Sequence, residues 1–279
     1  MVSRPPPTAL LLAPPPWSPY STTAHEALHP SRGTAHHGPL SVALVYPNAE
    51  RVGMANLGLH AVYRLFNDDP GVVCERVFLP EGSGEPRSVE SGAPLGAFDV
   101  VAFTLSFEDD YGHLLELLDR AGLPLRAAGR GEGHPLVVAG GMAMQINPEP
   151  VAPFLDAVLV GEGEVLVPPF LACLRAAAGL PRPALLDALT RLPGCYVPGR
   201  YEVEYGDSRA PAGQWVTRFT PLGGAPARVV RQYVADLAKV ATSRVLDSPS
   251  AQFGDLFLTE VARGCLWGCR FCAAGFVQR

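Results

Sequence analysis

The chain has 279 residues, 48% of them hydrophobic and 18% charged, with a formal net charge of -5 at pH 7. That length allows one or two domains with real cores, and the acidic balance argues against a nucleic-acid-binding surface. No apolar run approaches the roughly 20 residues of a membrane span. The apolar stretch 8–14 is short, bounded by proline and lacks a cleavage region, so it does not read as a signal peptide. A cytoplasmic location is expected, where clustered thiols read as metal ligands or redox groups, not as disulfides.

Residues 1–38 are rich in Pro, Ser, Thr and His without an apolar period, and read as a disordered tail. From residue 39 the pattern changes. A buried strand is expected over 41–47, then a helix over 53–68 with Leu57, Val62, Leu65 and Phe66 on one face. Strands follow at 72–80 and 98–107, a helix at 111–123, a strand at 134–141, a short helix at 148–156, a strand at 157–161 and a helix at 167–179. Strands alternating with helices predict an α/β domain over 39–180, a doubly wound parallel sheet with its ligand crevice beyond the strands' carboxyl ends. Residues 181–254 break this pattern and read as a linker, in which 201–205 and 214–220 alternate like a β-hairpin. The stretch 231–246 fits a helix or an extended chain equally well. One more strand, 256–262, opens the segment 255–279.

That strand runs directly into "RGCLWGCRFC", which holds three of the six cysteines, Cys265, Cys269 and Cys272. Three thiolates at C-x-x-x-C-x-x-C spacing suit three irons of a 4Fe–4S cluster and leave the fourth iron open to an exogenous ligand. Arg263 and Arg270 flank the thiols and favour the ligating thiolate form. Gly264 and Gly268 relieve crowding where backbone and cluster approach. Zinc would want a fourth Cys or His nearby. No histidine follows His134 and no cysteine follows Cys272, so zinc would need a distant partner such as Cys195. Cys74, Cys173 and Cys195 are scattered singletons that read as small buried hydrophobes.

The motif resembles that of the radical S-adenosylmethionine superfamily, C-x-x-x-C-x-aromatic-C, with Phe271 in the aromatic place. The resemblance implies that Cys265, Cys269 and Cys272 hold a 4Fe–4S cluster, that S-adenosylmethionine binds its open iron and that Phe271 lines the S-adenosylmethionine site. It also implies a cofactor-reducing partner such as a flavodoxin or ferredoxin. In that superfamily the motif follows the first strand of a partial βα barrel. The chain thus reads as the front of a longer, truncated enzyme and as inactive by itself.

The preceding domain resembles the cobalamin-binding, flavodoxin-like module of one large subgroup. The resemblance rests on the run 140–164, with paired glycines, a Pro-Glu helix start and a Gly-Glu-Gly-Glu turn. Gly140 and Gly141 after the fourth strand, Gly161 and Gly163 after the fifth, and Ser106 after the third are the expected crevice residues. At the place of the D-x-H-x-x-G signature stands "NAERVG", with Glu50 where the cobalt-ligating histidine would be. Cobalamin binding, with methyl transfer as the implied reaction, and a corrinoid- or nucleotide-binding module without catalysis both remain open. Segment 255–279 is expected to stay unpacked, with Arg263 and Arg270 open to protease.

Overall fold

The computed structural model describes residues 39–206, 216–246, 251–254 and 256–278. The expected tail 1–38 and the start of the second hairpin strand at 214–215 lie outside the described residues.

Six strands form the main sheet: β1 (Leu40–Tyr46), β2 (Val72–Phe78), β3 (Val100–Thr104), β4 (Leu136–Gly140), β5 (Ala157–Leu159) and β6 (Cys195–Tyr196). Their order is β2-β1-β3-β4-β5-β6, parallel throughout except for β6, which pairs antiparallel with β5. The first five read as near-continuous apolar runs because both faces are covered by helices. On one face, Leu44, Ala102 and Val138 pack against helix α1 (Leu57–Asn67), together with Phe170 and Leu171 of a later helix. On the other, Val45, Phe103 and Val137 pack against Leu114, Leu117 and Leu118 of helix α2 (Asp110–Arg120).

Helix α1 starts where it does because Asn56 caps it, its side chain accepting from Leu59 N–H at 3.0 Å. Its buried stripe is Leu59, Tyr63 and Phe66. Of the expected stripe, only Phe66 is fully buried; Leu57, Val62 and Leu65 are half-buried because they face a cleft.

Other elements differ from expectation. The helix after β4 is α3 (Met142–Ile146), and only a 3-10 turn, Ala152–Phe154, forms within the expected 148–156 helix. The residue before each proline disfavours the helical region, and 148, 150 and 153 are all proline. Helix α4 (Gly163–Ala176) begins four residues earlier than expected. Beyond residue 180, helix α5 (Arg182–Leu189) and strand β6 still belong to the same sheet and core. The sheet therefore runs past the expected boundary to Tyr196.

At the sheet's amino end, Asp156 precedes β5 and is 1% exposed at its side chain. Its Oδ2 accepts from Arg130 Nε (3.1 Å), Arg182 Nη2 (2.7 Å) and Val137 N–H (2.8 Å). Burial pulls the Arg130 pKa down against the pull of this carboxylate.

The hairpin is present, with β7 (Tyr201–Tyr205) antiparallel to β8 (Val216–Pro221). Tyr201 anchors it, stacking on Phe219 at 4.4 Å and touching Tyr196 at 5.2 Å. The stretch 231–246 is neither a helix nor a strand. It runs extended across the carboxyl end of the sheet, with one 3-10 turn at Leu237–Lys239 and a parallel bridge between Gln232 and Gly161.

The expected strand 256–262 does not form. Among the described residues its pairing is an antiparallel bridge, Ser243 to Thr259, supported by Arg244 N–H to Leu258 O and Glu260 N–H to Thr242 O. A strand needs a ladder of neighbours, and among the described residues the backbone alongside is the short Thr242–Ser243–Arg244 run.

Candidate functional site

At the carboxyl ends of β3, β4 and β5, between helices α1 and α4, lies a cleft of about 300 Å3. Open α/β sheets bind ligands beyond the carboxyl ends of their strands. Its walls are Leu57, Ala61, Val62 and Leu65 of α1 and Leu166 and Val167 of α4; its floor includes Leu44, Ala102 and Val138. The rim is polar: Thr104, Gln145, Glu162, Glu164, Thr242, Glu260, Arg263 and Gln278. The last four come from the segments that lead to and from the cysteines.

Gly140, Gly141, Gly161 and Gly163 all line this cleft, as expected. Ser106 does not; its hydroxyl accepts from Asn56 Nδ2 at 3.2 Å. The reason for the glycines, however, lies in the chain itself. Gly141 has φ 106°, and a Cβ there would stand 2.3 Å from the Leu105 carbonyl oxygen. At Gly161, with φ 144°, a Cβ would meet Gln232 O at 2.1 Å. These positions admit close backbone neighbours, not a bulky ligand.

That bears on the corrinoid. Gly53 of the NAERVG stretch packs against the Phe78 ring, with 2.4 Å to a would-be Cβ, and Glu50 is exposed. Drug-sized ligands take pockets of about 300–1,000 Å3, and a corrin with its side chains is larger than such a ligand. With the Cβ sides of Gly141 and Gly161 filled by the chain and Arg263 and Gln278 on its rim, this cleft of about 300 Å3 does not fit cobalamin.

The rim is organised by two arginines. Arg263 Nε donates to Glu260 Oε1 (2.9 Å) and Nη2 to Glu260 Oε2 (2.8 Å). Nη2 and Nη1 also reach Glu164 Oε1 (2.8 Å) and Oε2 (3.3 Å), and Nη1 reaches Glu162 Oε2 (3.1 Å). Arg231 Nε donates to Gln145 Oε1 (2.7 Å), and its two Nη atoms to Val277 O (3.1 Å), Gln278 Oε1 (3.2 Å) and Glu162 Oε1 (3.3 Å). The hydrogen bond from Arg263 holds the Glu260 carboxyl below its ordinary range, and Glu260 in turn raises Arg263. Arg263, expected beside the thiols, directs its guanidinium contacts to carboxylates and Thr242 instead. Its side chain is only 17% exposed, so Arg263 itself docks on the sheet domain, against expectation, while Leu256, Phe257 and Val261 before it stay exposed.

Loop 265–272 has neither helix nor strand; a turn closes it, Cys272 N–H donating to Cys269 O at 3.2 Å. Helix α6 (Ala273–Val277) follows, with Cys272 Sγ accepting from Gly275 N–H at 3.3 Å. A Cβ on Gly275 would lie 3.5 Å from Cys272 Sγ and 3.8 Å from Cys265 Sγ, so these two thiols converge on one spot. Cys269 is exposed, and no three metal-ligating side chains are gathered among the described residues. The donor set suits an iron–sulfur cluster by chemistry: three thiols within eight residues, two of them near Gly275 and the third on the irregular loop between them. Phe271 is 92% exposed and lies outside the cleft. Cys74 and Cys195 are buried in the core, as expected; burial pushes the Cys195 thiol up to about 12, which disfavours the ligating thiolate.

The parallel α/β domain is the part of the chain that comparison with known families covers. Residues 58–198 match the family of radical SAM proteins, N-terminal, and the chain belongs to that family. The matched region ends just after β6, where the sheet ends. An uncharacterized protein of Methanocaldococcus jannaschii is 24% identical over 234 residues, 84% of this chain and 41% of the relative. The chain thus spans about two fifths of that relative's length. No solved structure matches. Among the described residues no helix is long and apolar enough to cross a membrane.

The Gly-Glu-Gly-Glu turn signals more than its glycines: Glu162 and Glu164 carry the contacts to Arg263, 99 residues away for Glu164.

Proposed function

We propose that this chain is the N-terminal part of a radical S-adenosylmethionine enzyme in which Cys265, Cys269 and Cys272 hold a 4Fe–4S cluster. The observation that carries the reading is the C-x-x-x-C-x-x-C loop, seated at the carboxyl end of a domain whose family is the N-terminal region of radical SAM proteins. When bound, such a cluster supplies the electron that cleaves the S-adenosylmethionine sulfonium. The chain's own contribution is to bind and place. The three thiolates ligate, Phe271 offers an aromatic face to S-adenosylmethionine, and the sheet domain carries the loop through Arg263. A one-electron donor such as a flavodoxin or ferredoxin is the expected partner.

Anaerobic reconstitution with iron and sulfide tests this. A brown protein with iron and sulfide in matching amounts is expected, and replacing any of Cys265, Cys269 or Cys272 by Ala abolishes loading. Replacement of Cys74, Cys173 or Cys195 leaves it intact. Stoichiometric zinc with no iron uptake would overturn the reading.

A further inference from the structure

We propose that the turn 161–164 of the sheet domain is a socket that clamps both ends of the cysteine loop, with Arg263 as the positioning residue that locks it. The proposal deepens the cluster reading above and takes from it the purpose of the loop, but its geometry stands on contacts that involve no metal.

The socket itself is rigid. Glu162 N–H donates to Gln232 O at 3.0 Å, and Gly161 is pressed so closely on Gln232 that no side chain fits between them. Gly163 sits with 3.2 Å from a would-be Cβ to Val62. The two carboxylates on this turn therefore have little freedom to move apart.

Ahead of the cysteines, Arg263 takes both oxygens of Glu164 and one of Glu162. Only Gly264 separates it from Cys265. Gly264 has φ 101° and leaves 2.8 Å between a would-be Cβ and Gln278 O, so the link has no slack. Fixing Arg263 fixes Cys265. Behind the cysteines, Arg231 holds Val277 O and Gln278 Oε1 while it pairs with the second oxygen of Glu162. Glu162 thus bridges the anchors on both sides of the loop, and Val234 N–H donates to it at 2.7 Å.

Charge makes the lock conditional. Glu162, Glu164 and Glu260 bring three carboxylates around one guanidinium. Without Arg263 they face one another with only Arg231 nearby, and like charges at contact repel. The arrangement depends on Arg263, so its loss releases the loop.

The test uses the metal-free 279-residue chain and iodoacetamide, with mass spectrometry reporting each cysteine separately. Cys265 and Cys272 are half-buried, and Cys269 is exposed and serves as the internal control. Arg263→Gln and the double change Glu162→Gln with Glu164→Gln are expected to raise alkylation of Cys265 and Cys272 by about tenfold or more, as local opening does. Cys269 stays within about twofold, as an already open site should. Arg263→Lys, which keeps charge but not the two-pronged geometry, falls between. The swap Glu164→Arg with Arg263→Glu restores part of the protection, which a loss of folding cannot do. Unchanged Cys265 reactivity in Arg263→Gln, with circular dichroism equal to the parent, overturns the proposal; so does an equal rise at all three cysteines. Iron loading is scored apart: a chain that takes up no iron yet shows this alkylation pattern refutes the cluster reading and keeps the clamp.

Discussion

The sheet carries an arginine–carboxylate cluster at each end, and the two are built oppositely. At the amino end, one carboxylate, Asp156, serves two arginines, Arg130 and Arg182, all of them at most 10% exposed at the side chain. At the carboxyl end, three carboxylates serve two arginines, at 11–25% exposure. The first ties the loop before β4 and the start of α5 to the amino end of β5, all within the sheet domain. The second ties the sheet domain to a segment that makes no strand in it. Removing water from a charge is costly, and that cost is recovered only with full pairing. The deeply buried cluster therefore works as a staple of the fold. The half-exposed one can be opened without unfolding anything beneath it.

Removing Asp156 gives the largest effect. Asp156→Ala leaves two buried guanidinium groups without their carboxylate and the Val137 N–H without its acceptor. The expected loss is about 3–5 kcal/mol, read as a lower urea midpoint and a lower Tm. Were the loss under about 1 kcal/mol, the range for exposed pairs, the two clusters would not differ in kind.

Gly141 is next. Its φ of 106° with ψ of -178° is a backbone region that essentially only glycine occupies. Gly141→Ala is expected to cost about 1–3 kcal/mol in the chain with nothing bound, because the Leu105 backbone meets the new methyl. An unchanged urea midpoint would mean that neither the backbone angle nor the Leu105 contact requires glycine there. The same urea titration decides.

These residues also show what was legible in the sequence. The five buried strands were readable because both faces of a parallel sheet are covered, which leaves uninterrupted runs such as Val42 to Tyr46. The edge strand β6 was not. It has two residues, and no period shows in so few. Helix α5 was lost for a related reason: it opens with Pro183 at its second position and its apolar face is short. At the site, the cysteines announced themselves by spacing, and the cleft glycines by standing after successive strands. Glu162, Glu164, Glu260 and Arg231 did not, because an isolated Glu or Arg reads as a solvated surface residue. Only the fold brings residues from three distant stretches together.

Arg263→Gln should have little effect on the sheet. It removes a half-exposed cluster whose collapse frees the cysteine segment alone, so the urea midpoint moves by less than about 1 kcal/mol equivalent. Trypsin should nonetheless cut faster after Arg270, which is exposed in a loop that the clamp holds at both ends. A large drop in global stability would mean that the carboxyl-end cluster is a second staple.

The smallest effect is in acid. Glu260 is held below the ordinary glutamate value, first by its hydrogen bond from Arg263. A carboxyl whose folded pKa is depressed contributes stability that is complete above its free value, about pH 4.3, and that fades as the pH falls through the lower folded value. The clamp should therefore be indifferent to pH from neutrality down to about pH 5 and loosen below about pH 4. Hydrogen exchange with mass spectrometry, corrected for the intrinsic pH dependence of exchange, can follow this through the Arg244 and Glu260 amides, which bond across the bridge to Leu258 and Thr242. Their protection should drop in acid while that of β1, β3 and β4 persists. In Arg263→Gln the same amides should already be weakly protected and show no acid step, because the partner that lowers Glu260 is gone. An acid step of equal size in that variant would place the titrating group elsewhere, and the coupling between Glu260 and Arg263 would have to be given up.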